Sequence, residues 1–332
     1  MRPLLKDILA ALWLGILIPG LVLNAAVLFD RQEPPAAAAE TQPEELPTVL
    51  LQPPEGQARS LSLPDYLTGV VLGEMPASFH PEALKAQTVA AGTYVRKALQ
   101  TGKHGGSVCG DPGCCQAWLA PEDYPGTPED LEKVRTAVRA VWQYALVYED
   151  ALIEAVYFSC SGGQTEAAVA VWGADFPYLQ SVESPGEEAA RYHTDSILIP
   201  QAEFFRLLNL PVPEETDFFT DITHTEGGGV DSITIGGKTF TGTELRALLN
   251  LRSTAFTLET AGDHIRISTR GWGHRVGMSQ YGANAMAQTG HTWQQILQHY
   301  YPGTNVVPFE ELGVRNEELK AFPSGEGGSP QG

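Results

Sequence analysis

Positive charge is scarce in this chain of 332 residues, where 21 Lys and Arg stand against 40 Asp and Glu for a formal net charge of −19. Such a surface repels phosphate backbones and offers no attraction to anionic lipid, which argues against nucleic acid and favours a neutral or weakly charged ligand. Long apolar runs are absent except one, internal repeats are absent, and no HExxH pattern marks a metalloprotease helix. Cysteine is limited to four residues, three of them in one loop. What remains, 43% hydrophobic residues in a chain of this length, is enough for one large domain or two modest ones with a real core.

The single apolar run, "ILAALWLGILIPGLVLNAAVLF" (Ile8 to Phe29), carries no ionisable side chain. At about 22 residues it is long enough for a bilayer, which takes roughly 20, and longer than the core of a signal peptide. Arg2 and Lys6 precede it, which orients the short N-terminus to the cytoplasm and the bulk of the chain outside. The small residues of "LNAA" keep a cleaved signal open as the alternative. Residues 30–59, rich in Pro, Ala and acids, predict an extended linker, and "FPSGEGGSPQG" from Phe322 a disordered tail.

Between these, the pattern predicts an α+β fold of helices and short antiparallel strands. Pro81 to Gly102 reads as a helix with Pro in its first turn and Leu84, Ala91, Val95 and Ala98 on one face. A second helix follows Thr127 as its cap. "LVYEDALIEAVYFSCSGG" predicts two strands about a turn at Glu149-Asp150, with further strands at 232–235, 254–260 and 264–269 and a closing helix at 282–289.

Four places carry chemistry. The strand-like run "VVLGEMP" ends on one acid, Glu74, whose apolar setting raises its pKa and marks a candidate site; a carboxylate held by backbone donors is the competing reading. Glu82, in a first helical turn, reads as structural. The loop from His104 through Cys109, Cys114 and Cys115 offers the donor types of a zinc site, while the even cysteine count of an extracytoplasmic chain equally allows a disulfide. "FSCSGGQT" places Ser159 and Ser161 after a strand with no base nearby, so it reads as a loop lining a groove. "RGWGHRVGMSQYGA" combines glycines with Trp272, His274, Gln280 and Tyr281, residue types that grip sugars by ring stacking and amide bonds.

Three long segments, "YLTGVVLGEMPASFHPEALKAQTVAAGTY", "VYFSCSGGQTEAAVAVWG" and "GWGHRVGMSQYGANAMAQTGHTWQQILQHYYPGT", together resemble the stage II sporulation protein D family, over roughly residues 61–304. The resemblance implies a membrane-anchored lytic transglycosylase acting on peptidoglycan during forespore engulfment. It implies a catalytic domain at 60–308, in two lobes about 60–165 and 166–308 with a groove between, after an anchor at 1–29 and before a tail at 309–332. It implies Glu74 as the catalytic residue and Tyr66, Gln87, Gln116, Ser161, His274, Ser279, Gln280 and Tyr281 as groove candidates. It also implies one structural zinc on His104, Cys109 and Cys115, with Cys114 as the substitute for Cys115.

Expected partners are glycan strands stripped of stem peptides, the mother-cell membrane facing the septum, and engulfment proteins including an amidase or endopeptidase. A lone acid suits this reaction, because a lytic transglycosylase uses one carboxyl in succession as acid and base, whereas glycosidases pair two. Two positions depart from the family pattern: Gly92 where an Arg is usual, and Arg275 where a Gly is usual. The competing readings are a glycan-binding activator of a cell-wall amidase and, more remotely, a zinc hydrolase.

Overall fold

The computed structural model describes residues 46–214 and 217–312. The expected anchor and the tail beyond residue 312 lie outside the described residues. Among the described residues no helix is long and apolar enough to cross a membrane.

The chain enters through β1 (Thr48–Gln52), which pairs antiparallel with β2 (Arg59–Ser62) and parallel with β3 (Val108–Cys109). Val49 and Leu51 of β1 are buried, so the expected linker at 30–59 gives way to packed structure before its end. Next comes α1 (Leu63–Glu74), capped by Ser62, whose Oγ accepts the Asp65 N–H at 3.3 Å. This is the segment whose apolar run reads as a strand. It is helical because it is buried on nearly every side, from Leu63 and Tyr66 through Val70, Val71 and Leu72, and a helix enclosed in a core shows no polar stripe. It stops at Glu74 because Pro76 forces Met75 into extended backbone (φ −124°, ψ 143°).

α2 (Pro81–Gln100) and α3 (Pro128–Val141, capped by Thr127) pack against α1. β4 (Tyr144–Tyr148) and β5 (Ala151–Leu152) form the expected hairpin, with Glu149 and Asp150 both at positive φ, the backbone of a tight two-residue turn. β6 (Tyr157–Phe158) and the short α4 (Ala168–Trp172) follow.

A second core then forms on its own sheets. β7 (Thr194–Pro200) is the edge strand of a sheet ordered β11–β12–β7, with β11 at Phe256–Ala261 and β12 at His264–Arg270. β8 (Phe219–His224), β9 (Val230–Ile235) and β10 (Lys238–Thr241) make another, and α5 (Gln201–Leu207) and α6 (Gly242–Leu248) close over them. Phe204, Phe205, Ile233, Leu245 and Ile267 are its buried centre. The chain afterwards returns to the first core through β13 (Met278–Ser279), α7 (Gln280–Gln288) and α8 (Trp293–Tyr300), and β14 (Asn305–Pro308) pairs with β4. The two cores therefore do not divide at 165/166. The second is an insertion, and Ala168, Leu179, Val276, Met278, Ile296 and Tyr300 belong to the first.

Buried carboxylates fasten the insertion at its two junctions. Glu187 accepts from Ser161 N–H and Oγ, Gly162 N–H, Ser184 Oγ and Ser279 Oγ. Glu166 meets the Arg275 guanidinium at 3.1 Å and also accepts from Thr225 Oγ and Gly229 N–H. Arg275 further donates to the carbonyls of Ser161, Gln164 and Gly227. Its φ of +64° is backbone that favours Gly, and the four-way anchoring of its side chain is what holds a larger residue there. With both partners buried, removing one strands the other: Arg275→Met is expected to lose about 3–5 kcal/mol in urea denaturation. The double change Glu166→Gln/Arg275→Met should lose less than the single one, and a single-variant loss below about 1 kcal/mol would show that the pair does not anchor the insertion.

Candidate active site

Three segments converge on the C-terminal end of α1. The first is the extended stretch 116–119, which crosses α1 closely enough that Leu119 N–H bonds to the Gly69 carbonyl at 3.0 Å. A Cβ on Gly73 would lie 3.0 Å from the Ala117 carbonyl carbon, and one on Gly69 would run into the Trp118 indole, so both glycines serve this approach. The second and third segments are β6 and β13, paired in parallel with Met278 opposite Tyr157 and Ser279 opposite Phe158.

The result is a carboxyl held from both sides. Ala117 N–H donates to Glu74 Oε1 at 2.7 Å, and Gln280 Nε2 donates to Oε2 at 3.2 Å. Burial raises the Glu74 pKa above the ordinary carboxylate value, and these two donors pull part of the way back. Glu74 also ends α1, and the carbonyl-lined C-terminal end of a helix disfavours further negative charge. No acidic neighbour contributes to the shift. Glu74 remains partly exposed and so open to a ligand.

The expected groove residues separate into distinct groups. Gln280 touches Glu74 directly, and Tyr281, partly exposed, stands beside it with its ring edge-on to Phe79 at 5.0 Å. Tyr66 and Gln116 are buried beneath the site instead of lining it. Tyr66 O–H donates to Gln116 Oε1 at 3.1 Å, and Gln116 Nε2 donates to Tyr157 Oη at 2.8 Å. This network sets the residue before Ala117 and therefore aims the N–H that holds Glu74.

Ser161 and Ser279 are sealed against Glu187 and act as struts, with Ser279 also capping α7. Gln87 is buried in α2, with neither amide atom hydrogen-bonded among the described residues. His274 packs between Phe158 and Trp172, accepts Val276 N–H on Nδ1 at 3.1 Å, and is driven down to about 4 by burial and then by Arg246. A neutral imidazole engaged in this way positions the loop that leads into β13 and is no proton donor near neutral pH. Glu82, as expected, is structural: it takes Lys85 Nζ at 2.7 Å and the first N–H of α8 at 2.9 Å.

The cysteine loop runs directly into the segment that holds Glu74, Cys115 preceding Gln116 and Ala117. The donor atoms of His104, Cys109, Cys114 and Cys115 all lie within 4.8 Å of one another. Asp111 makes this possible by accepting the N–H of both Cys114 and Cys115 on its carbonyl, turning both thiols inward. Cys114 is therefore a fourth donor beside Cys115 rather than its substitute. Three thiols and one imidazole are a donor set able to hold a metal ion. Cys160 lies buried outside the cluster, and the described cysteines are free thiols.

Residues 55–148 match the family model for SpoIID, Stage II sporulation protein. The chain is 37% identical over 258 residues to the stage II sporulation protein D of Bacillus subtilis, covering 74% of this chain and 75% of that protein. It is 36% identical to the Bacillus amyloliquefaciens protein of the same name, over 74% of each. An amidase enhancer of Bacillus subtilis is 29% identical over 297 residues, 73% of this chain and 40% of its own length.

The raised carboxyl has a measurable consequence. Glu74 binds its proton more tightly folded than unfolded, so the folded state loses stability as pH rises from the unfolded value near 4.5 through the folded one. Against a Glu74→Gln variant, the wild type is expected to lose relative stability across that window and then run parallel above it. Carboxyl-carbon NMR titration should place the Glu74 midpoint above 4.5, and a midpoint at or below that value would contradict the assignment.

Proposed function

The chain belongs to the stage II sporulation protein D family, and on that premise we propose that it is a lytic transglycosylase acting on peptidoglycan during sporulation. The observation that carries the reading is the lone, desolvated Glu74 with two donors and no acidic partner. The short bond from Ala117 N–H marks Oε1 as the acceptor oxygen, which leaves the proton on Oε2.

From Oε2 the proton passes to the glycosidic oxygen between MurNAc and GlcNAc as the C1–O bond breaks. The carboxylate so formed is stabilised by Ala117 and Gln280, and it then takes the proton of the muramic 6-hydroxyl as that oxygen attacks C1. The products are a 1,6-anhydro end and a free 4-hydroxyl, with no water consumed. One group serves both steps, so the second carboxylate of a hydrolase has no task here. The apolar run at residues 8–29 is the proposed anchor, with the site outside the cytoplasm on glycan stripped by an amidase.

Incubating the full-length protein with peptide-free glycan and reading the products by mass spectrometry tests the proposal. Glu74→Gln is expected to lower anhydro-ended product by about 10²–10⁴-fold while leaving folding intact. Glu82→Gln should cost stability and little activity. A folded Glu74→Gln variant that releases product at the wild-type rate would sink the proposal. The similarity to an amidase enhancer favours one other reading, a glycan-binding activator, for which the wild type itself yields no anhydro product.

The metal reading is zinc. His104, Cys109, Cys114 and Cys115 would hold it as a structural ion, and with Cys114 as the fourth donor no position would be left for substrate. We expect about one zinc per chain by elemental analysis, lost in Cys109→Ser, and a lower melting temperature after chelation. Reduced protein without zinc, together with a mapped Cys109–Cys115 disulfide in the untreated protein, would decide against it.

A further inference from the structure

A cavity of about 380 Å³ lies in the inserted sheet region, lined among others by Asp195, Ile197, Arg246, Asn250, Arg252 and Trp272. Glu74 does not line it. Its volume suits a single sugar ring with a substituent.

The two arginines differ in a way that points to a ligand. Arg252 is spoken for: its Nε meets Asp195 Oδ2 at 2.6 Å, and its guanidinium lies 3.7 Å over the Tyr192 ring. Arg246 is half-buried, and its one hydrogen bond is from Nε to the Leu251 carbonyl at 3.3 Å. No carboxylate reaches ion-pair distance of it among the described residues. In a chain with 40 acids against 21 bases, a guanidinium fork without an acid, facing a cavity, is a vacancy for an anion.

The cavity lining also includes an aromatic face. Trp272 is 42% exposed, yet its indole is fixed edge-to-face against Tyr192 at 4.5 Å, with Arg252 stacked behind. An exposed ring held this firmly offers contact area with little ordering cost to the ligand. Asn250 and Asp195 supply amide and carboxylate partners for hydroxyl groups.

We propose that this cavity is a second saccharide subsite that takes an amino sugar carrying a free carboxylate, the pyranose on Trp272 and the carboxylate on the Arg246 fork. In peptidoglycan that description selects the muramic acid residue with its lactyl group unsubstituted. An amide-linked stem peptide removes that charge and, with it, the match to Arg246. The assignment rests on the glycan reading above.

The test uses the full-length protein and two probes that differ by the lactyl group, N-acetylmuramic acid and N-acetylglucosamine. Binding is read by calorimetry and by the Trp272 indole N–H shift in NMR. N-acetylmuramic acid is expected to bind about ten- to a hundredfold more tightly than N-acetylglucosamine, the range for a hydrogen-bonded charge pair. Arg246→Gln should remove that preference, Arg246→Lys should restore part of it, and Trp272→Ala should weaken both sugars. Glu74→Gln should bind as the wild type does.

Equal affinity for the two sugars, or a preference that survives Arg246→Gln, overturns the subsite. The two readings fail separately. A wild type that cleaves glycan without an Arg246-dependent preference loses the subsite alone, and one that keeps the preference without anhydro product loses the transglycosylase assignment alone.

Discussion

Glu74 receives its second donor from a residue that lies beyond an inserted sheet region, so the site depends on the chain coming back in register after that excursion. The register is held by Glu187. Its two oxygens collect five donors from the loop at 161–162, from Ser184 and from Ser279, residues of the chain before and after the insertion. A buried carboxylate is costly unless its lone pairs are filled, and here they are filled by groups that must come from both sides of the excursion. That requirement fixes β13 against β6 and the start of α7 against α1. Gln280 follows Ser279 directly, so the geometry at Glu74 is inherited from a bond network one residue away.

The two departures from the family pattern show the same logic of displaced charge. At position 92, where the resemblance implies an Arg, this chain has Gly, and Arg96, one turn later, folds back so that Nη1 bonds to the Gly92 carbonyl at 3.1 Å. A Cβ at position 92 would stand 2.9 Å from that nitrogen, so the missing side chain is what makes room for the guanidinium. At position 275 a usual Gly becomes Arg, and Glu166 is there to meet it. Each change is understood only with its partner, one helical turn away for Gly92 and remote in sequence for Arg275.

Much of this was legible in the sequence where local chemistry decides structure. The helix opened by Pro81, the Thr127 cap and the Glu149-Asp150 turn all carry their instructions within a few residues. α8 was equally legible, through its Thr292–Gln295 capping box and Trp293, Ile296, Leu297 and Tyr300 on one face, although the expected elements end with the helix at 282–289. α1 was not legible, since an apolar run without polar punctuation is equally a buried strand or a buried helix. Glu74 stood out as the lone acid in that run. The roles of Tyr66, Gln116, Ser161 and Ser279 did not, because polarity alone does not say whether a residue faces a ligand or satisfies a buried partner.

Residues 115, 116 and 117 bring these threads together. Cys115 belongs to the donor cluster, Gln116 to the buried network of Tyr66 and Tyr157, and Ala117 gives its N–H to Glu74. A shift of the loop by a fraction of an ångström would lengthen the 2.7 Å bond that opposes the effect of burial on the carboxyl. A metal held at Cys115 would therefore act on Glu74 by fixing where an N–H points, with no contact of its own to the carboxyl. The same reasoning accounts for the glycines at 69 and 73, which let the segment lie flat on α1. The tuning of one carboxyl is in this sense distributed over a loop, a buried amide and the end of a helix.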